Sequence, residues 1–359
     1  MHSLASQVLA KFGKTSHVFR SCLMGKDDLF DEASAKFALH YAFQILLESL
    51  EISDDDLDEL HRRTNSLSIQ ESDDWIRICG FKTWPGGIMT VPCMKTPTKI
   101  SKSTFPVQRG MLIPARNSEG FISGLQIKPH TDAPNTEDSD GESVCSQTGS
   151  ETVKKNPKYM WVSRNRSMKL PVGDPEQCGE DPLFVCRANR CSSNSAFLIE
   201  GGLKAYVFAQ LAAHHRWAFN VIGASGGQHW KSKEELTWAL AQMKVNKIIL
   251  VPDAGAVQNH NVILNYFRTF DFLTNVLSIK VQVAWWGQYD KHDDLDGDDH
   301  LNGAVPGQFT SICISCLWDL VPCSTRDLFF GGRRGLEKLD LLNRVLDKIG
   351  RNRTGCSRC

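Results

Sequence analysis

The sequence predicts an α/β protein, with a parallel four-stranded sheet covered by helices and a smaller α+β region in front of it. Three observations lead there. Between Ser195 and Trp285, short buried-type apolar runs alternate with one-sided helical stripes, strand then helix three times over, ending on a strand. Glycine-bearing turns follow the first three of these runs. Right-handed crossovers then require the strands to be parallel and both faces to be covered. At 359 residues and 41% apolar composition, the chain has length for two packed units and enough apolar surface for real cores.

Residues 1–30 are expected to be a flexible basic N-terminus. Lys11, Lys14, Arg20 and Lys26 occur with no acid through Lys26, alongside several serines and a short apolar face of Leu4, Val8, Leu9 and Phe12. That composition also suits an organelle transit peptide. Residues 31–129 read as a helical region followed by a β-hairpin. From Asp31 to Leu50, Phe37, Tyr41 and Ile45 stand at i, i+4 spacing beside Ala38, Ala42 and Leu46, which predicts a core helix. Ser53 then precedes Asp54, Asp55 and Asp56, an N-cap with acids suited to the positive end of a helix dipole, with Leu57 and Leu60 facing inward. A third helix is predicted over Ile69 to Ile78. From Gly110 the period changes to that of strands. Met111 to Arg116 and Phe121 to Lys128 flank Asn117-Ser118-Glu119-Gly120, the chemistry of a hairpin turn.

His130 to Asn156 is rich in Ser, Thr, Asp, Glu, Gly and Asn, so residues 130–157 are expected to be a disordered insertion. Residues 158–194 form a β connecting region with strand candidates at Lys158 to Ser163 and Leu183 to Ala188. Residues 195–303 hold the α/β domain. Its strands are Ala196 to Ile199, Phe219 to Ile222, Lys247 to Val251 and Ile279 to Trp285. Its helices carry the stripes Tyr206, Val207, Leu211 and Ala212; then Leu236, Ala239, Leu240 and Met243; then Val262, Tyr266, Phe270, Leu273 and Leu277. Ser232 and Glu235 predict a capping box in front of the second helix. Residues 304–359 read as a helical, basic C-terminal tail.

Composition narrows the functional classes. With 41 Lys+Arg against 41 Asp+Glu there is no global attraction to nucleic acid, so a polyanion site must be a local patch or a metal site. No apolar stretch approaches the roughly 20 residues of a membrane-spanning helix, so no membrane partner is expected. Twelve cysteines, without a secretory leader, suit reduced intracellular thiols. Nucleus, cytoplasm and organelle all remain open.

In an open parallel sheet, ligands collect beyond the carboxyl ends of the strands. Here those positions hold Glu200-Gly201-Gly202, Gly223-Ala224-Ser225-Gly226-Gly227, Pro252-Asp253-Ala254-Gly255 and Lys291-His292-Asp293-Asp294-Leu295. If the first and third strands are neighbours, about 4.8 Å apart, Glu200 and Asp253 converge on one edge. Two readings fit. Mg²⁺ takes one or two carboxylates and fills its remaining positions from waters and phosphates; alternatively, Glu200 and Asp253 each cap the helix that follows.

The ordered set Glu200-Gly201-x-x-Lys204-Ala205, then strand-x-Asp253, then Lys291-x-Asp293-Asp294-Leu295 resembles the Rossmann-like TOPRIM fold of primases and topoisomerases. More closely, it resembles the TOPRIM-like domain of unknown function in bacterial plasmid and phage replication proteins, a mobile-element setting. Upstream, Cys79-Gly80-Phe81-Lys82-Thr83-Trp84-Pro85, Gly110-Met111-Leu112-Ile113-Pro114-Ala115-Arg116 and Lys158-Tyr159-Met160-Trp161 extend the resemblance, which runs from about Ala33 to Leu301. It implies Mg²⁺- or Mn²⁺-dependent nucleotidyl or phosphoryl transfer of primase type, acting on DNA or RNA with nucleotides, and a helicase as a further candidate partner. It makes Glu200 the general acid or base and, with Asp253, Asp293 and Asp294, a metal ligand, while Lys204 meets a phosphate. The family's Asp-x-Asp after the third strand is interrupted here by Gly255, with Gln258 and Asn259 as nearby neutral substitutes. A catalytically degenerate nucleic-acid binder is therefore the competing expectation.

Further signals each have two readings. Gly223, Gly226 and Gly227 form either a phosphate loop or a plain strand-to-helix turn, and the turn is favoured because their spacing matches no phosphate-binding fingerprint. Cys313-x-x-Cys316 and Cys356-x-x-Cys359 have structural-zinc spacing, but the first pair sits in an apolar run where cysteine behaves as a core residue, the favoured reading. A zinc-stabilised interaction module is the third functional class. Six aspartates from Asp290 to Asp299 fail the EF-hand register, since Gly297 at its sixth position puts His292 first. Nine Lys or Arg against four acids in the last 34 residues suit either a nucleic-acid backbone or a solvated helix face.

Overall fold

The computed structural model describes residues 32–96, 99–130, 158–162, 180–188, 194–291, 301, 310–330 and 340–345. The basic N-terminus, the insertion after His130, the acidic loop with Asp293 and Asp294, most of the basic tail, and Cys356 with Cys359 lie outside them. The chain divides into two compact units. One comprises Met1–Leu57, Gly80–Pro114 and Ile122–Met168; the other comprises Asp58–Cys79, Ala115–Phe121 and Lys169–Cys359.

In the first unit, helix α1 (Glu32–Glu48) is long and apolar around much of its circumference. The stripe entering the core is Leu39, Phe43, Leu46 and Leu47, which pack with Met89, Val91, Leu112, Leu125 and Ile127. Phe37, expected inward, is instead 49% exposed and leans on Tyr41 with ring centroids 4.8 Å apart. Two faces of this helix satisfy i, i+4 spacing, and the sheet selects the one with Phe43. Helix α2 (Asp54–Arg63) begins as predicted, with Ser53 and Asp56 hydrogen-bonded to one another at 3.3 Å. Asp56, 2% exposed, also accepts from Thr83 and contacts His130 Nε2 at 2.8 Å.

Strand β1 (Lys82–Trp84) opens a four-stranded sheet, which continues through β4 (Gly110–Arg116) and β5 (Ile122–Pro129) to β6 (Met160–Trp161). A separate hairpin of β2 (Gly87–Thr96) and β3 (Lys99–Val107) was not foreseen. Its alternation is real, with Met89 and Val91 buried and Thr90 facing Thr104 at 3.0 Å. Prolines 92 and 106 and many Lys, Ser and Thr residues obscure that pattern in the sequence.

The second unit contains the end of α2 and helix α3 (Ile69–Cys79), joined by a 2.8 Å contact between Thr64 and Ser72 hydroxyls. Asn117 closes the predicted turn before β5, its side chain accepting from the N–H groups of Glu119 and Phe121 at 3.0 and 2.9 Å.

The main sheet holds β7 (Phe184–Cys186), β8 (Ser195–Glu200), β9 (Asn220–Ala224), β10 (Lys247–Val251), β11 (Lys280–Trp285) and β12 (Thr310–Ile312) in the order β12-β11-β10-β8-β9-β7. Its four central strands are parallel, as expected. An antiparallel strand closes each edge, making six strands where the repeat had shown four. The edge strand β7 falls within the strand expected at Leu183 to Ala188, whereas β12, three residues long, is too short to carry a periodic signal.

Successive side chains on a strand point to opposite faces, and β8 shows both. Phe197 packs on Phe208 of α4 (Gly202–His214) at 5.2 Å, while Ala196 and Leu198 join Leu236 of α5 (Lys233–Gln242) and Phe267 of α6 (His260–Asp271). Full burial of each such leucine or phenylalanine contributes about 1.5–3 kcal/mol. The expected capping box does not form. Ser232 Oγ donates to the Asp181 carbonyl at 2.7 Å, and the Glu180 carboxylate accepts from the N–H groups of Glu234 and Glu235 at 2.7 and 2.9 Å. A carboxylate more than 50 residues upstream thus fills the role expected of a local hydroxyl. No described helix is long and apolar enough to cross a membrane.

Candidate active site

Glu200 ends β8, opposite Ala224 of β9. On the other side Ile199 pairs with Val251, the last residue of β10, so Glu200 and Asp253 leave adjacent parallel strands at the same edge. The turn after Glu200 needs glycine: Gly201 has φ +80° and donates its N–H to the Ala224 carbonyl at 2.8 Å. Helix α4 starts at once and puts Lys204 in its first turn, where its ammonium forms an ion pair with Asp253 Oδ2. Both side chains are 18% exposed. Glu200, Lys204 and Asp253 all belong to one environment, because all three act electrostatically on the buried Tyr266 hydroxyl. Burial, followed by the two carboxylates, pushes that phenol well above its usual range, while Lys204 opposes the shift. Tyr266 donates to the Val251 carbonyl at 3.3 Å.

Neither acid occupies an N-cap position. Gly201 is the N-cap of α4 and receives no side-chain cap bond. Asn259 is the N-cap of α6, accepting from the N–H groups of Asn261 and Val262 at 3.0 and 3.3 Å. Asn259 is thereby committed to its helix, and Gln258 turns its amide to Asp290 at 2.6 Å. Gly255 is more than a missing acid. It adopts φ +74°, and a Cβ there would stand 2.9 Å from Lys291 Cβ and 3.0 Å from Lys291 N. The fold leaves no room for a side chain at that position.

Two residues that sequence reasoning missed hold the rim in place. Gln288, fully buried, donates to the carbonyls of Pro252 and Ala284, both at 3.3 Å, and accepts from Trp286 N–H at 2.9 Å, tying the loop after β10 to the end of β11. His229, 1% exposed, has Nε2 3.0 Å from the Ile222 carbonyl and Nδ1 3.3 Å from that of Gly227. Burial pushes this imidazole down to about 4, and its two carbonyl contacts offset only part of that shift. No local motif marks either residue.

The glycines at the end of β9 and in the turn after it have different structural roles. Gly223 allows close helix-on-strand approach, since a Cβ there would lie 2.6 Å from Ala205 Cβ. Gly226 and Gly227 have φ +59° and +64°, and a Cβ on Gly227 would come within 3.8 Å of Glu200 Oε2, so this turn passes the rim. Cys313 and Cys316 form no disulfide and hold their sulfurs 3.0 Å apart. Their expected zinc partners Cys356 and Cys359, like the third acidic position Asp293 and Asp294, lie outside the described residues. Among the described residues, no group of three or more His, Cys, Asp or Glu side chains is placed to hold a metal ion.

No protein-family model matches the chain, and no curated protein matches it in sequence. Solved structures similar to it include the DnaG primase catalytic domain bound to single-stranded DNA, at 13% identity and TM-score 0.46, over 89% of this chain and 98% of that one. A DNA primase domain from Pseudomonas aeruginosa is similar at 14% identity and TM-score 0.47, over 86% and 95%. The E. coli primase catalytic core is similar at 11% identity and TM-score 0.43, over 88% and 95%.

Proposed function

We propose that this chain is a nucleic-acid-processing protein of primase type, performing divalent-ion-dependent nucleotidyl or phosphoryl transfer at the carboxyl rim of β8 and β10. The observation that carries the reading is the delivery of Glu200 and Asp253 from adjacent parallel strands to one edge, with Lys204 beside them. The resemblance noted from the sequence gives those three positions their roles.

The donor set fits Mg²⁺ or Mn²⁺ in kind, since both acids offer hard oxygens and such an ion takes one or two carboxylates from protein. When bound, the ion neutralises charge on the phosphoryl group and lowers the pKa of an attacking hydroxyl. The residues do the rest. Glu200 receives the proton of the attacking hydroxyl and returns one to the leaving oxygen. Lys204 exchanges its contact with Asp253 for a phosphate oxygen, so its charge is already at the rim before substrate arrives. Gln288 and Tyr266 keep the Asp253 loop in register. Asp293 and Asp294 are the proposed third acidic position. DNA or RNA and nucleotides are the partners this chemistry requires; a helicase partner and a mobile-element origin rest on the resemblance alone.

A second reading has its own support. Gly255 is walled by Lys291, and Asp253 is already neutralised by Lys204, as in a site retaining phosphate recognition without transfer. Incubation with single-stranded template, labelled nucleotides and Mg²⁺ or Mn²⁺ separates the two. Product that disappears in Glu200→Gln supports transfer. Oligonucleotide binding without product in wild type, unchanged by that substitution, supports the binder.

A further inference from the structure

We propose that Cys313 and Cys316 are a redox-active dithiol that closes reversibly to an intrachain disulfide, independently of the chemistry at the Glu200 rim. Cys313 immediately precedes helix α7 (Ile314–Leu320), with extended backbone at φ −81° and ψ 164°, and Cys316 lies in the first turn of that helix. This backbone path brings their sulfurs to 3.0 Å. A tetrahedral zinc ion with Zn–S bonds of about 2.3 Å holds its sulfurs about 3.8 Å apart, so the pair is tighter than that geometry. Closure to a disulfide bond shortens the separation by about 1 Å. The Ser315 hydroxyl, 2.7 Å from Cys313 Sγ, supplies a polar neighbour.

The surroundings set this pair apart from Cys79 and Cys186 of the same unit. Burial pushes the thiol of Cys186 up to about 12 and that of Cys79 well above its usual range, so both stay protonated and unreactive. Cys313 and Cys316 are only half-buried, which leaves a path for a small reagent. The bond would staple the junction between β12 and α7, where Ile312, Ile314 and Leu317 enter the core beside β11.

The co-reactant is a low-molecular-weight disulfide, with glutathione disulfide as the probe. One protein thiolate attacks it and expels a glutathione thiolate, and the second protein thiolate then displaces the other glutathione from the mixed disulfide. Two electrons pass to the reagent. One glutathione disulfide becomes two glutathiones, and the protein loses two hydrogens.

The test equilibrates the full reduced chain with glutathione redox mixtures, blocks remaining thiols by alkylation, and sequences the peptides by mass spectrometry. The expected result is a peptide lighter by two hydrogens, with the loss confined to Cys313 and Cys316, Cys323 alkylated, and the change reversed by dithiothreitol. In Cys313→Ser or Cys316→Ser that species is lost, and a glutathione adduct appears on the remaining cysteine. The wild-type measurement stands even if a variant folds poorly. Separate glutathione adducts on both cysteines, a bond to Cys323, or stoichiometric zinc that protects the pair from alkylation would each overturn the proposal.

Discussion

Lys204, in the first turn of α4, forms an ion pair with Asp253, which lies two residues beyond β10 and is 49 positions away in sequence. The pair joins two crossovers of the sheet at the edge where Glu200 also ends its strand. It leaves the rim with two carboxylates against one ammonium, so a metal ion would compete with Lys204 for Asp253 and a phosphate would compete with Asp253 for Lys204.

That coupling is measurable. Both partners are mostly buried, so Asp253→Asn removes the carboxylate paired with Lys204 and is expected to cost about 2 kcal/mol, below the 3–5 found for fully buried pairs. Lys204→Met should cost a similar amount. The double variant should recover at least 1 kcal/mol of the summed loss, read from urea midpoints. Strict additivity would show that the pair contributes nothing to folding.

Restoring the acid that the family pattern expects should fail. Gly255→Asp places a side chain at φ +74° against Lys291 backbone, and strain plus overpacking predict a loss of about 2 kcal/mol. Thermal unfolding reads the loss directly. A variant as stable as wild type would show that the loop yields and that the glycine is not structurally required.

His229 makes stability depend on pH. Its imidazole titrates at about 4 when folded against 6.5 unperturbed, so between those values the unfolded chain binds the additional proton. Its contribution is complete above pH 6.5, declines as pH falls, and has gone below 4, for a total of roughly 3 kcal/mol. His229→Gln keeps a donor for Ile222 and removes the titration. Its unfolding free energy should therefore change less across that window than wild type, and equal slopes would count against a buried neutral ring.

Helix α5 is capped from a distance. Glu180→Ala removes the acceptor for two N–H groups and should cost about 1 kcal/mol, whereas Ser232→Ala should disturb the Asp181 contact more than the helix. Amide hydrogen exchange at Glu234 and Glu235 distinguishes them, rising in the first variant and changing little in the second. The reverse pattern would restore the local capping box.

What could be read in the sequence follows the range of the interactions. The four parallel strands carry continuous apolar runs, and Glu200 and Asp253 stand directly after two of them, so their meeting depends only on strand adjacency. Lys204 was visible as a motif residue, but its pairing with Asp253 requires the sheet. His229, Gln288 and Glu180 satisfy backbone groups of other segments, and nothing in their own neighbourhood announces it. The hairpin at Met89 was hidden by a polar composition whose alternation only its partner strand makes meaningful. Gly255 was recognised as a departure, but the wall formed by Lys291, 36 residues later, was not visible from the chain.

The most direct test of the rim's role is a crystal structure of the full chain soaked in Mn²⁺, with anomalous maps calculated for wild type and Glu200→Gln. The expected result is an anomalous peak within bonding distance of Glu200 and Asp253 in wild type, with the Lys204 ammonium displaced from Asp253, and a weakened peak in the variant. Mn²⁺ absent from both crystals, with Lys204 still on Asp253 at saturating ion, would contradict it.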